Sequence, residues 1–298
     1  MWRPDAPVPW ADEDAAAAML TGEAERFLDV AAIGGVPWRL LWCAGAGVIA
    51  TPPEALAQET RLLTRVLAGI GERLRDDAEL ARNGLVFHAS SAGGVYSASP
   101  DGPPFDEDSR VGALAPYGRE KIAQEEAFRA LADAAGVDVL IGRFSNLYGP
   151  GQSLAKPQGL ISHVGRASLR REPISIYVPL DTIRDYLFAA DAGRMVAEAA
   201  VRMEHERLDR GGHAVVVKVF ASEVETTIAS ILGAWRQALR RPPLVALSDR
   251  TTAGLQPRLL SFRSRVWPEL RGQPTLLTLG VDAVRRDQLS RLLAAGLD

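Results

Sequence analysis

Cysteine is nearly absent: Cys43 is the single one in 298 residues. No intramolecular disulfide can form, which suits a reducing cytoplasm, and the residue itself reads as a small buried strand side chain. Long apolar runs are also missing, since nothing reaches the ~18 consecutive apolar residues of a membrane-spanning helix. There is no basic excess. With 34 Lys and Arg against 37 Asp and Glu the net charge is −3, counting His as neutral, so the electrostatic footprint of a nucleic-acid binder is lacking. The four histidines, His88, His163, His205 and His213, share no metal-ligand spacing, which argues against a metal site. What remains is a chain with 47% apolar residues, enough for a substantial core in one large domain or in a domain with a smaller lobe.

Lysine is the scarcest charged residue, and its scarcity is informative. Only three of the 34 basic residues are lysines, and Lys121 follows Tyr117 by four positions in the run YGREK. A lysine kept where arginine serves elsewhere points to a site that needs a compact ammonium with rotatable donors. With five tyrosines and three lysines in the chain, Tyr-x-x-x-Lys arises by chance roughly 0.05 times. On a helix the i,i+4 spacing puts both side chains on one face, so the ammonium lies beside the phenol and favours its ionised form. Such a phenol can take a proton from a substrate hydroxyl while a hydride leaves the same carbon for a nicotinamide ring. The pair alone is also what an exposed helix surface carries.

The neighbourhood strengthens the chemical reading. Residues 84–97, GLVFHASSAGGVYS, are an apolar strand followed by two serines and small residues, and residues 137–151, VDVLIGRFSNLYGPG, are a strand running into a polar, glycine-bearing loop. In a parallel α/β sheet the ligand crevice lies at the carboxyl ends of the strands, where both loops open. The wider pattern gives helices over 11–32, N-capped by Asp12 or a nearby polar residue, and over 54–75, 116–135, 158–171, 189–203 and 224–240. Strands are expected over 39–44, 84–89, 137–143, 174–177 and 214–220, with loops over 204–213 and 241–257. Helix and strand alternate, as a parallel sheet requires.

With these segments in view, the chain resembles the extended short-chain dehydrogenase/reductases, the NAD(P)-dependent nucleotide-sugar epimerases and dehydratases. Four motifs carry the resemblance in order: SSAGGVYS; PPFDED followed by Tyr117-x-x-x-Lys121; RFSNLYGPG; and RDYLFAAD. It implies an α/β, doubly wound, parallel-sheet Rossmann-like fold with a small C-terminal substrate lobe. Residues 1–155 would form the cofactor domain, and 156–298 mainly the substrate lobe with segments returning to the sheet. It further implies NAD or NADP as cofactor, a nucleotide-linked sugar or related small molecule as substrate, and a second copy of the chain for assembly, without nucleic acid or membrane. Tyr117 looks like the general base, and Lys121 like the group that holds the ribose and tunes the phenol. Ser91 looks like the hydroxyl on the reacting sugar oxygen, with Ser90 as fallback, because many relatives place this hydroxyl at the position of Ala92. Two strand-end serines capping backbone groups are the plainer account. Ala44 and Gly45 match a strand end beside the cofactor, and the backbone around Tyr148 and Gly149 a wall against the nicotinamide. Asn146 matches a sugar or phosphate contact. Arg184 matches a diphosphate-binding Arg, for which a local Arg184-Asp185 ion pair is the alternative, and Arg258 is a weaker candidate for the same role. Relatives that dehydrate carry Asp-Glu where Gly93 and Gly94 stand, so an epimerase or simple oxidoreductase is favoured.

One expected element is missing from the sequence. The family's domain opens with a strand, a glycine-rich turn and a helix whose terminal amides hold the pyrophosphate, whereas CAGAGVIA at 43–50 runs into Pro52-Pro53 and matches a later strand end. The expectation is an N-terminally truncated domain whose 39–44 strand is left as an apolar edge. Two function classes follow: an NAD(P)-dependent epimerase or reductase, and a non-catalytic, cofactor-deficient relative that acts as a binding protein.

Overall fold

The computed structural model of the chain describes residues 4–155, 158–247 and 257–295. In chain order its elements are α1 (Glu13–Gly34), β1 (Trp38–Trp42), α2 (Pro53–Arg75), α3 (Ala78–Arg82), β2 (Gly84–Ser91), α4 (Ala92–Val95), α5 (Pro116–Ala135), β3 (Asp138–Phe144) and β4 (Asn146–Tyr148). There follow α6 (Leu160–Arg170), β5 (Ile174–Ile176), β6 (Ile183–Phe188), α7 (Ala189–Leu208), β7 (Val215–Phe220), β8 (Glu225–Thr227), α8 (Ile228–Leu239), β9 (Val245–Leu247) and α9 (Leu277–Ala295). The chain divides into two compact units. One comprises residues 1–95, 111–143 and 199–218, and the other 96–110, 144–198 and 219–298.

The first unit is built on a sheet ordered β1-β2-β3-β7, with β1 parallel to β2. Helical crossovers join successive strands, the connection parallel pairing demands. β2 is buried along nearly its whole length, which is why it reads as a continuous apolar run and shows no alternation. Helix α1 starts where its chemistry says it should: Asp12 caps it by accepting the Ala15 amide at 3.0 Å. Helix α2 begins with Pro53 in its first turn, where a missing N–H costs nothing, and buries Leu56, Leu63, Val66, Leu67, Ile70 and Leu74 at helical spacing. Helix α5 buries Gln124, Glu125, Phe128, Leu131 and Ala132 on one face and ends at Gly136 in the left-handed region, φ 69°. β1 is an edge of the sheet, and Leu41 on it is 52% exposed.

The second unit holds two smaller sheets, β4-β6-β8 and β5-β9. β4 runs parallel to β6, and β8 antiparallel to it. The core here gathers Tyr148, Ile161, Val164, Ile176, Ile231, Trp235 and Val281.

Several boundaries differ from those the sequence suggests. Residues 96–110 and 144–155 belong to the second unit, not to a 1–155 domain. The reason is local pairing: the Phe105 amide donates to Ser261 O at 2.9 Å, Tyr96 and Phe105 stack at 5.4 Å, and β4 joins β6. The 174–177 strand pairs with β9, so it lies outside the main sheet, and β9 itself interrupts the expected 241–257 loop. Of that loop, residues 248–256 lie outside the described residues, as do Met1–Arg3 of the expected N-terminal coil. Helix α7 continues to Leu208 into the expected 204–213 loop. The 224–240 segment opens as strand β8 before turning helical at Ile228, where Thr227 caps the helix by accepting the Ser230 amide. Cys43 is exposed just beyond β1, because the edge position of β1 leaves its end uncovered.

Candidate active site

In the first unit the site forms where β2 gives way to α4 and the first turn of α5 packs against it. Strand alternation turns successive side chains to opposite faces, and it separates the two candidate serines. Ser90 Oγ donates to Glu125 Oε1 at 2.6 Å, and Glu125 is also held by Arg143, whose Nη2 donates to Oε2 at 2.6 Å. Both ends of that ion pair are buried, so Ser90 belongs to an internal network. Ser91 points the other way. Its Oγ accepts the Gly94 amide at 3.2 Å and shares a hydrogen bond with the Tyr117 phenol. Ala92 is fully buried and has no hydroxyl to offer.

Two glycines let these groups meet. A β-carbon on Gly94 would stand 3.2 Å from Tyr117 Cε1, and one on Gly118 would stand 2.3 Å from Gly94 O. The first is tighter than ordinary side-chain contact and the second is a collision with backbone. A side chain at Gly93 would meet nothing within 4 Å.

Lys121 lies one turn beyond Tyr117. Its Nζ donates to Ala89 O at 3.2 Å and Gln124 Oε1 at 3.0 Å, and Gln124 Nε2 donates in turn to Thr60 Oγ1 on α2 at 3.2 Å. An ammonium has three donors. Among the described residues these two bonds leave its third N–H uncommitted.

The electrostatics differ from the simple expectation for a Tyr-Lys pair. Burial raises the Tyr117 phenol above its ordinary range, the Ser91 hydrogen bond works against that, and the negative charge of Glu59 adds to the rise. Lys121 does not lower it here, because its ammonium is turned to Ala89 and Gln124. Burial lowers Lys121, and Glu59, Glu125 and Cys43 oppose the fall. At neutral pH the phenol is therefore protonated in this state.

The strand-end loop Ala44–Gly45–Ala46 follows β1, with Gly45 at φ 143° and its amide neighbour Ala46 donating to Glu59 Oε1 at 2.7 Å. Glu59, Thr60 and Gln124 went unnoticed in the sequence. Gln124 shares the helix face of Lys121 three residues on, a signal that was available. Glu59 and Thr60 arrive from another helix and left none.

The second unit places the other candidates. Asn146 Nδ2 donates to Asp185 O at 2.9 Å. Tyr148 is 3% exposed and burial pushes its phenol up to about 12, so its side chain is core and only the backbone near Gly149 is left to meet a ligand. Arg184 is buried, with Nη1 donating to Ile183 O at 2.7 Å. It makes no ion pair with Asp185. That carboxylate instead accepts the Ser222 amide and hydroxyl at 2.9 and 3.0 Å. Among the described residues Arg184 has no carboxylate partner, and burial lowers its pKa. Arg258 is exposed and ion-paired to Asp181. No group of three or more His, Cys, Asp or Glu able to hold a metal occurs among the described residues, and no described helix is long and apolar enough to cross a membrane.

Comparison with known proteins gives this arrangement its class. The model of the NAD dependent epimerase/dehydratase family matches residues 44–217, more than half of the chain, and the chain belongs to that family. UDP-glucose 4-epimerase of Mycolicibacterium smegmatis is 30% identical over 176 residues, covering 57% of this chain and 54% of that protein. dTDP-4-dehydro-6-deoxyglucose reductase of Escherichia coli is 26% identical over 198 residues, covering 66% and 59%. The chain thus spans little more than half the length of these relatives. Among solved structures, UDP-glucose 4-epimerase of Thermotoga maritima with UDP-glucose superposes with a TM-score of 0.70 at 17% identity, covering 91% of this chain and 82% of that one. MoeE5 with UDP-glucuronic acid and NAD gives 0.69 at 22% identity, covering 85% and 79%. At such identities these two likenesses show the fold: an α/β, Rossmann-like one.

Proposed function

We propose that the chain is an NAD(P)-dependent epimerase or oxidoreductase of nucleotide-linked sugars, in which Tyr117 and Ser91 handle the proton of the reacting hydroxyl. The hydrogen bond between Ser91 and Tyr117, with a Lys121 donor left over beside them, is the observation that carries it. The relatives named above act on UDP- and dTDP-linked sugars, and MoeE5 binds NAD, which supports the same substrate and cofactor classes here. A bound nicotinamide dinucleotide supplies the hydride acceptor and, when oxidised, a positive ring.

The chain's own residues would do the following. Lys121 holds the ribose through its remaining N–H, and the Ala44–Gly45 loop offers backbone without bulk. Ser91 fixes the substrate oxygen between itself and Tyr117. The phenol, held protonated by burial and by Glu59, would first give up its own proton to solvent when positive charge is brought next to it, and the phenolate so formed would accept the proton of the reacting hydroxyl. Arg184, buried without a carboxylate, is suited to a diphosphate, where its planar fork gains the counter-charge it lacks in this unit.

The test is to incubate the chain with NAD or NADP and a panel of UDP- and dTDP-linked hexoses, following nicotinamide absorbance and the anomeric protons. Conversion of at least one sugar is expected. Arg184→Ala should raise KM about tenfold or more with little change in kcat, the loss of one charge-assisted contact. Conversion of none, with the dinucleotide bound, would contradict the enzymatic reading.

A further inference from the structure

Gln124 is an unexpected residue for its place. It sits on the buried face of α5 with Phe128, Leu131 and Ala132 and is 5% exposed, where an apolar side chain of similar length would pack without the cost of drying an amide. The amide is fully engaged. Its Oε1 accepts from Lys121 Nζ at 3.0 Å, its Nε2 donates to Thr60 Oγ1 on α2 at 3.2 Å, and the Thr60 hydroxyl donates onward to Leu56 O at 3.3 Å. Every bond in this relay runs one way, from an ammonium that can only donate to a carbonyl that can only accept. That order also fixes which end of the amide faces Lys121.

The other acceptors near Lys121 are taken or insufficient. Glu125, next to Gln124 on α5, is bound by Arg143 and Ser90. Ala89 O accepts one Lys121 N–H at 3.2 Å, and a single tether leaves a long side chain with rotamer freedom that ligand binding must then remove. Gln124 supplies the second tether. Both tethers are neutral, so neither cancels the positive charge they hold in place.

We infer that Gln124, braced by Thr60, is a positioning residue for Lys121: it fixes the ammonium near the carboxyl end of β2 and acts on a bound dinucleotide through it. The inference rests on the reading of Lys121 as the ribose-holding cation.

The scarcity of lysine supplies the experiment. With only Lys121, Lys156 and Lys218 in the chain, protein grown on lysine labelled with carbon-13 at Cε gives three side-chain signals, and Lys121→Met assigns the one of interest. Its titration midpoint is compared in wild type, Gln124→Met, Thr60→Val and Thr60→Ser. Methionine keeps the length of glutamine and removes the acceptor. Valine keeps the shape of threonine and removes the hydroxyl, whereas serine keeps the hydroxyl and removes the methyl group. Losing a hydrogen bond to the charged form lowers a lysine midpoint, so the midpoint is expected to fall in Gln124→Met, to fall by less in Thr60→Val and to stay in Thr60→Ser. A Thr60 that merely packs predicts the reverse order at that position. The titratable groups that act on Lys121, Glu59 from α2, Glu125 on its own helix, Cys43 beyond β1 and His88 from β2, are the same in every variant. An unchanged midpoint in Gln124→Met overturns the inference. Should that variant not fold, the pair at position 60 decides, and a midpoint in Thr60→Ser as low as in Thr60→Val overturns it equally. The midpoints are read without dinucleotide or turnover. Added NAD separates the two readings: if it binds and leaves the wild-type Lys121 signal unmoved, the ribose-holding role falls, while the midpoints still decide whether Gln124 positions the lysine.

Discussion

At the residue scale, the candidate site was legible where spacing in the chain already sets two side chains on one helix face and obscure where the pleat of a strand decides. Tyr117 and Lys121 declared themselves by spacing and by the rarity of lysine. Ser90 and Ser91 did not, because adjacent hydroxyls are equivalent in a sequence and only the pleat of β2 assigns one to Glu125 and the other to Tyr117. His88 is a third case. It looked like one of four scattered histidines, yet both ring nitrogens are buried without partners, the ring stacks on Phe128 at 4.5 Å, and burial pushes its pKa down from 6.5 to about 2. Here the folded pKa lies below the unfolded one, so the unfolded chain binds the extra proton as pH falls. His88 should therefore leave stability untouched above pH 6.5 and withdraw about 1.4 kcal/mol per pH unit below it. Denaturation midpoints of His88→Phe and wild type, compared from neutral to acid pH, are expected to diverge in favour of the variant as pH drops. Parallel curves would mean that the ring is protonated in the fold.

At the element scale, long helices were readable because their ends carry chemistry: Asp12 caps α1, Pro116 opens α5 and Gly136 closes it. Short strands were not. β6 hid inside RDYLFAAD, since three-to-six-residue strands have too few positions to show a period. The packing of α5 on α4 depends on bare backbone, with Gly118 against Gly94 O. Gly118→Ala must push the first turn of α5 away and carry Tyr117 with it. A loss of about 1–3 kcal/mol, the usual cost of overpacking, is expected in urea unfolding together with a fall in kcat. A variant with unchanged stability and turnover would show that the two turns have room to spare.

At the scale of the whole molecule, the family and the alternation of helix and strand were legible, whereas the bounds of the two units depend on contacts between distant segments. The sequence led to an expectation of returning segments after residue 156 without bounds for them, and the capture of 96–110 by the second unit rests on aromatic packing between Tyr96, Phe105 and Phe262, which no local pattern announces. β1 remains an edge carrying an exposed Leu41, and flat apolar edges recruit other strands. Leu41→Lys should suppress concentration-dependent scattering while shifting the unfolding midpoint little. Equal scattering from both proteins would place the association elsewhere.

The central claim is that Tyr117 acts on the transferred proton. In the chain assayed with its dinucleotide and an accepted sugar nucleotide, Tyr117→Phe removes one oxygen and leaves the ring, so substrate binding should persist while kcat falls roughly 100- to 10,000-fold, the range of general acid-base catalysis. Substrate affinity read by calorimetry and kcat read on the same preparation decide it. Near-normal kcat in Tyr117→Phe on every accepted sugar would contradict the account.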